Sequence, residues 1–144
     1  MIGTKEEKMS RPRVYIAGKL NASAAVYIRN VHDMLAVGNM IRKRGFSVFV
    51  PALDVLMGFL DGKMDYEDYF ENNIEWLKVT DYMLVLPGWE HSSGTQKEME
   101  IAESHNIPIL FDLFSLVVRK ERDEKRNAEL LDGVFGLHAE SRKP

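Results

Sequence analysis

Four short apolar runs recur along this chain with helix-forming segments between them: Val14-Tyr15-Ile16-Ala17, Phe46-Ser47-Val48-Phe49-Val50, Asp81 to Leu86, and Ile107-Pro108-Ile109-Leu110-Phe111. This alternation constrains the fold more than any other feature. Strands apolar at consecutive positions must be covered on both faces, and connections long enough to hold a helix let neighbouring strands run parallel. The expectation is a three-layer α/β domain, a doubly wound parallel sheet of four to five strands, flavodoxin- or Rossmann-like, with strand order about 2-1-3-4. In such sheets ligands bind beyond the carboxyl ends of the strands, where the order switches. Strands one and three would then bring the loop after Ala17 opposite the Pro87–Thr95 loop.

The intervening segments support this layout. Val31, Met34, Leu35, Gly38 and Ile41 repeat at helical spacing between about Val26 and Arg44, and Gly45 sits where a helix C-cap belongs. Pro51 stops the second strand. Leu53 to Leu60 is apolar but interrupted by Gly58, and reads as a short helix or a lid. Asp65 opens a strong helix through Leu77 whose apolar stripe is Tyr66, Phe70, Ile74 and Leu77. A further helix runs from Thr95 to His105. Beyond Asp112, the mixed charges from Arg119 to Arg126, with Glu121 four residues before Lys125, suit a solvated helix face. These signals divide the chain into an N-terminal arm over 1–12, one domain over 13–130, and a patternless tail over 131–144.

Composition narrows the function classes. A net charge of -3 over 144 residues provides no general attraction to nucleic acid or to an anionic membrane surface. The chain has no cysteine, which excludes disulfides, thiolate nucleophiles and cysteine-based zinc sites. His32, His91, His105 and His138 lack metal-ligand spacing, so no metal is expected, and chemistry at a carboxylate needs no organic cofactor. No apolar run approaches the roughly 20 residues needed to span a bilayer. The polar start of the chain lacks a signal-peptide core. Together these features lead to the expectation of a cytoplasmic protein.

The chemistry concentrates between Pro87 and Glu98. Here a strand stops at Pro-Gly, passes through a small-residue loop and opens a helix, so backbone N–H groups can meet an anion beside a carboxylate. Gly88, Ser92, Ser93 and Gly94 suit close ligand approach. Glu98 has two readings. As the last residue of Thr95-Gln96-Lys97-Glu98 it completes a capping box with Thr95 as N-cap, and Ser93 with Gln96 offers a second cap. As a site carboxylate it can attack an anomeric carbon. Tyr15, near the end of a central strand, is either core or a phenol that positions Glu98. Asn73, mid-helix, either makes a local hydrogen bond or serves the site. Lys19, Asn21 and Ser23 follow the first strand and can bind phosphate or sugar, or cap the next helix. Trp89 can stack on a base or serve a dimer contact. Asp81 reads as structural.

Taken together, Val14-Tyr15-Ile16-Ala17-Gly18 and Gly94-Thr95-Gln96-Lys97-Glu98 with Ala102 resemble the opening strand and the G-T-x-x-E motif of the nucleoside 2-deoxyribosyltransferase-like superfamily, including its 5′-nucleotide N-glycosidase relatives. The likeness spans roughly Arg13 to Phe111 and is strongest to phage and bacterial members with Pro-Gly-Trp, then Ser-x-Gly, then Glu. The resemblance implies cleavage or transfer at the N-glycosidic bond of a (deoxy)nucleoside or its 5′-monophosphate. Glu98 would be the nucleophile and Tyr15 its neighbour. Ser92 with the Gly94 and Thr95 amides would hold the phosphate, and Lys19 and Asn21 would add polar phosphate ligands. Asn73 would contact the sugar or base, and Gly18, Gly88, Trp89 and Ser93 would complete the substrate site. It also implies a homodimer or higher homo-oligomer. The chain departs from the superfamily at Asn73, where those enzymes carry an aspartate that handles the leaving base's proton. An amide donates a hydrogen bond but is no general acid. Asp65, Asp68 and Glu71 lie nearby as substitutes.

Two alternatives stand beside this reading. A phosphoribohydrolase of the lysine-decarboxylase-like type carries P-G-G-x-G-T-x-x-E, but here four residues separate Trp89 from Gly94. A nucleotide-binding module without catalysis would be consistent with Asn73.

Overall fold

The computed structural model describes residues 11–63 and 65–140, with side chains described through residue 135. Its elements are β1 (Arg13–Ala17), α1 (Ala24–Lys43), β2 (Ser47–Phe49), α2 (Asp54–Asp61), α3 (Tyr66–Leu77), β3 (Tyr82–Val85), α4 (Ser93–Ser104), β4 (Ile109–Leu110) and α5 (Leu113–Glu140). The four strands form one all-parallel sheet in the order β2-β1-β3-β4. It is a three-layer Rossmann-like α/β fold, as the alternation of strands and helices requires.

The two-residue period of β1 divides the core. Val14 and Ile16 point to one face, where they join Met34 and Ile41 of α1, Phe46, and Leu116 of α5. Tyr15 and Ala17 point to the other, where they join Ile74 and Leu77 of α3 and Ala102 of α4. On the first face α1 comes so close to the sheet that a Cβ built on Gly38 would stand 2.8 Å from Val50 Cγ2 and 3.2 Å from Ile16 Cδ1. Gly45 follows α1 with φ +92°, the left-handed conformation that ends a helix at least cost with glycine.

At the amino ends of the strands, the Arg13 amide donates to Asp81 Oδ2 at 2.7 Å, and the Asp81 amide donates to the Arg13 carbonyl at 2.9 Å. Asp81 thus ties β1 to β3, the structural role expected of it. Pro108 lacks a donor, yet its carbonyl accepts from the Met83 amide at 2.9 Å, so the ladder begins one residue before β4.

Several boundaries differ from the sequence expectation. Leu53 to Leu60 forms a one-turn 3-10 helix at Pro51–Leu53 running into α2, closed by Gly62 at φ +70°. The buried face of α3 is Tyr69, Asn73, Ile74 and Leu77, whereas Tyr66 is 56% exposed. The helix therefore turns its Tyr69–Asn73 side inward, beyond the stripe that hydrophobicity alone marks. The segment after residue 130 is not patternless, because α5 continues to Glu140. Ion pairs Arg119–Asp123 and Lys120–Glu124 line this helix, and the Tyr82 hydroxyl donates to Asp123 at 2.7 Å. Of the N-terminal arm, Arg11 is anchored, its guanidinium donating to the carbonyls of Arg42 and Phe46. Residues 1–10 and 141–144 lie outside the described residues. No helix among the described residues is long and apolar enough to cross a membrane.

Candidate active site

Beyond the carboxyl ends of β1 and β3 the structure encloses a cavity of about 660 Å³. Gly18, Lys19 and Asn21 from the loop after β1 line one side, and Ser92, Ser93, Gly94 and Thr95 line the other. The two loops thus face each other across the crevice that the strand order implies. Asn73 and Glu98 line the interior, together with Asp54.

Tyr15 is fully buried on the α3–α4 face of the sheet, and its hydroxyl donates to Glu98 Oε1 at 2.8 Å. The phenol ring is held by a stack: Phe49 lies 5.5 Å from it at an interplanar angle of 18°, and Trp76 covers Phe49 at 5.7 Å. This contact decides between the two readings of Glu98. Its carboxylate does not return to its own helix terminus to cap it but reaches across to β1. Burial pushes the carboxyl up to about 7, a shift the Tyr15 hydrogen bond opposes and the nearby Asp54 charge increases. A carboxyl poised there is ionised for about half of the time at neutral pH and is poorly solvated, the condition of a reactive nucleophile or base.

The cap of α4 is Ser92 rather than Thr95 or Ser93. Ser92 Oγ accepts from the Thr95 amide at 3.2 Å and from the Thr95 hydroxyl at 2.9 Å. Thr95 lies in the first turn and is buried. This cap alters which amides an anion can use. The Thr95 N–H is occupied and the Gln96 amide bonds the Ser92 carbonyl, leaving those of Ser93 and Gly94 without backbone acceptors among the described residues. Ser92 accepts two hydrogen bonds, so its own O–H remains able to donate. Close by, the Tyr66 hydroxyl sits 2.0 Å from where a Cβ on Gly94 would be, so only glycine admits this ring.

Gly88 and Trp89, expected to touch substrate, do not line the cavity. Gly88 makes the left-handed turn after β3 at φ +92°, and Trp89 turns away to pack on Phe111 with ring centroids 5.7 Å apart. Asp65, Asp68 and Glu71 are also absent from the lining. Asp65 instead caps α3, accepting from the Asp68 amide at 3.4 Å.

The residue that sequence reasoning missed is Asp54. It is 8% exposed and accepts from Asn73 Nδ2 at 2.6 Å, while Asn72 Nδ2 donates to the Asn73 carbonyl oxygen at 3.2 Å. Burial raises its carboxyl, and the Asn73 hydrogen bond partly offsets that rise. One signal was present. An acid within an apolar run, just past the carboxyl end of a strand in a parallel sheet, stands where ligands bind. Tyr69 adds a buried phenol to the same lining.

The fold and this cavity define a Rossmann-like α/β protein with a polar pocket at the switch in strand order. Residues 12–111 match the family described as a domain of unknown function (DUF4406), and the chain belongs to that family. The match runs from the residue before β1 to the residue after β4, so it includes the whole sheet and every cavity residue named above. No curated protein matches the chain.

Proposed function

We propose that this protein cleaves, or transfers the sugar of, the N-glycosidic bond of a (deoxy)nucleoside or nucleoside 5′-monophosphate, with Glu98 as the nucleophile. The observation that carries this reading is the hydrogen bond from buried Tyr15 to Glu98, whose carboxylate lines a cavity bordered by the free amides of the α4 N-terminus. Tyr15 holds Oε1, which leaves Oε2 to attack C1′ of the sugar. The glycosyl-enzyme then passes its sugar to water or to a second base. The Ser93 and Gly94 amides and the Ser92 hydroxyl form a phosphate cradle at the positive end of α4, with Lys19 across the cavity mouth.

The volume suits the substrate class, since about 660 Å³ falls in the ordinary range for a drug-sized ligand. The test is incubation with a panel of nucleosides and 5′-nucleotides, with chromatographic detection of free base. Release by the wild type and its loss in Glu98→Gln is the expected result. Thermal stabilisation by a nucleotide that stays intact on long incubation would instead indicate a binding module.

A further inference from the structure

Resting on the glycosidic reading above, we propose that Asp54 is the proton donor to the departing base, carried on α2, with Asn73 as its positioning residue. Asp54 lines the same cavity as Glu98 and is almost completely buried. Asn73 holds only one of its oxygens: Nδ2 donates to Oδ2 at 2.6 Å, and Oδ1 has no partner among the described residues. An oxygen that accepts from an amide is the carbonyl-like one, so the proton of the neutral carboxyl resides on Oδ1. Asn73 cannot rotate away without cost, because its own oxygen is held by Asn72. A buried acid with one oxygen fixed and the other unpaired is prepared to deliver a proton to whatever enters.

The surroundings favour one proton shared between the two carboxyls. The Asp54 charge raises the cost of ionising Glu98, and the groups packed around the two are the phenols of Tyr15, Tyr27, Tyr66 and Tyr69 and the Asn73 amide. The nearest basic residues, Lys19 and His91, belong to the cavity-lining loops. Two close carboxyls in a poorly solvated site resist being ionised together. The reactive form has Glu98 ionised and Asp54 protonated. The Asp54 charge that raises Glu98 belongs to the opposite arrangement, with the proton on Glu98, and the step draws on the first of the two.

The chemistry then balances. Glu98 Oε2 bonds to C1′ as the bond from C1′ to the base nitrogen breaks, and that electron pair moves into the base. The Asp54 proton moves to a base ring nitrogen, N7 in a purine, so the base leaves neutral and Asp54 remains as a carboxylate. Water next attacks C1′ and gives its proton to Asp54 while Glu98 departs. Both side chains return to their starting state.

The assignment is tested with the full chain on a purine 2′-deoxynucleoside 5′-monophosphate and on its N7-methyl derivative, whose cationic base leaves without a proton. Asp54→Asn is expected to slow release from the ordinary nucleotide by at least about 100-fold. Release from the N7-methyl nucleotide, above its spontaneous rate, should stay within about threefold of wild type, since that substrate needs no acid. Glu98→Gln should slow both. Asn73→Ala should slow only the ordinary substrate, and by less than Asp54→Asn, a selectivity that a merely structural residue would not produce. Equal loss on both substrates, or loss on neither, overturns the role of Asp54. Glu98-dependent release by the wild type in that case leaves the glycosidic reading standing. A wild type inactive on both overturns that reading and this inference with it. If Asp54→Asn does not fold, Asp54→Ser is read by the same ratio.

Discussion

The Tyr15 hydroxyl and the Glu98 carboxylate meet at 2.8 Å although 83 positions separate them in the chain. One lies on the central strand and the other on the second turn of α4, and the parallel pairing of β1 with β3 brings them together. A donor aimed at a buried carboxylate favours its ionised form, so this contact helps set how much of Glu98 is ionised at a given pH.

Tyr15→Phe removes that donor. The Glu98 carboxyl, already pushed up to about 7 by burial, then moves higher, because the hydrogen bond that lowers it is gone. The acidic limb of the pH–rate profile for base release should shift to higher pH. At pH 6 the rate should fall by roughly 10- to 100-fold, as expected for losing a hydrogen bond to a charged group. An unmoved limb would mean that Glu98 is not the group whose ionisation the profile reports.

Glu98 also makes stability depend on pH. Its carboxyl titrates at about 7 in the folded protein against an ordinary 4.5. The folded state therefore binds more protons than the unfolded state between those values, and unfolding free energy falls as pH rises through that window. Asp54, also raised, acts in the same sense. The contribution present below pH 4.5 and lost above pH 7 is on the order of 2 kcal/mol, discounted for partial access from the cavity. Glu98→Gln should flatten the slope of stability between these pH values and melt above wild type at pH 8. Chemical denaturation at a series of pH values checks it.

Ser92 caps α4, and under the proposed function it also donates to a ligand. Ser92→Ala should cost about 1 kcal/mol of stability through loss of the cap and should raise KM for nucleotides. Ser92→Asp keeps a capping oxygen but sets a negative charge against the phosphate. It should retain stability, weaken 5′-nucleotides strongly and spare nucleosides. Thermal melts alongside KM values for matched nucleoside and nucleotide separate the two duties.

Gly38→Ala tests the packing of α1 on the sheet. The added methyl meets Val50 Cγ2 at 2.8 Å and Ile16 Cδ1 at 3.2 Å, both in buried residues with little room to yield. Overpacking of this kind costs about 1–3 kcal/mol. The midpoint of urea unfolding should drop with the slope unchanged.

The fold was legible because its signals are local. Apolar runs such as Val14–Ala17 and Asp81–Leu86 mark buried strands, and Gly45 marks the end of α1. The expected order 2-1-3-4 is the one the sheet adopts. Much of the site was legible too. The loops after β1 and β3 line one cavity, Glu98 and Asn73 lie within it, and Tyr15 bonds Glu98. Trp89 was misplaced because a loop aromatic shows no direction in sequence, and Phe111 supplied the partner that turned it inward. The cap moved from Thr95 to Ser92 because Ser, Ser and Thr all serve as caps, so the local pattern does not choose among them.

The amino-acid pattern alone marked the alternation of strands and helices and the loop that ends in Glu98, both of which depend on periodicity and on turn residues near one another in the chain. The tertiary structure alone decided that Glu98 reaches Tyr15 instead of capping its helix, and that Asp54 is buried against Asn73. Both outcomes depend on which side chains converge beyond the ends of the strands. That convergence is set by the pairing of β1 with β3, by α3 and α4 packing on one face of the sheet, and by α2 meeting α3 at Asp54 and Asn73, relations between distant segments that no local pattern encodes.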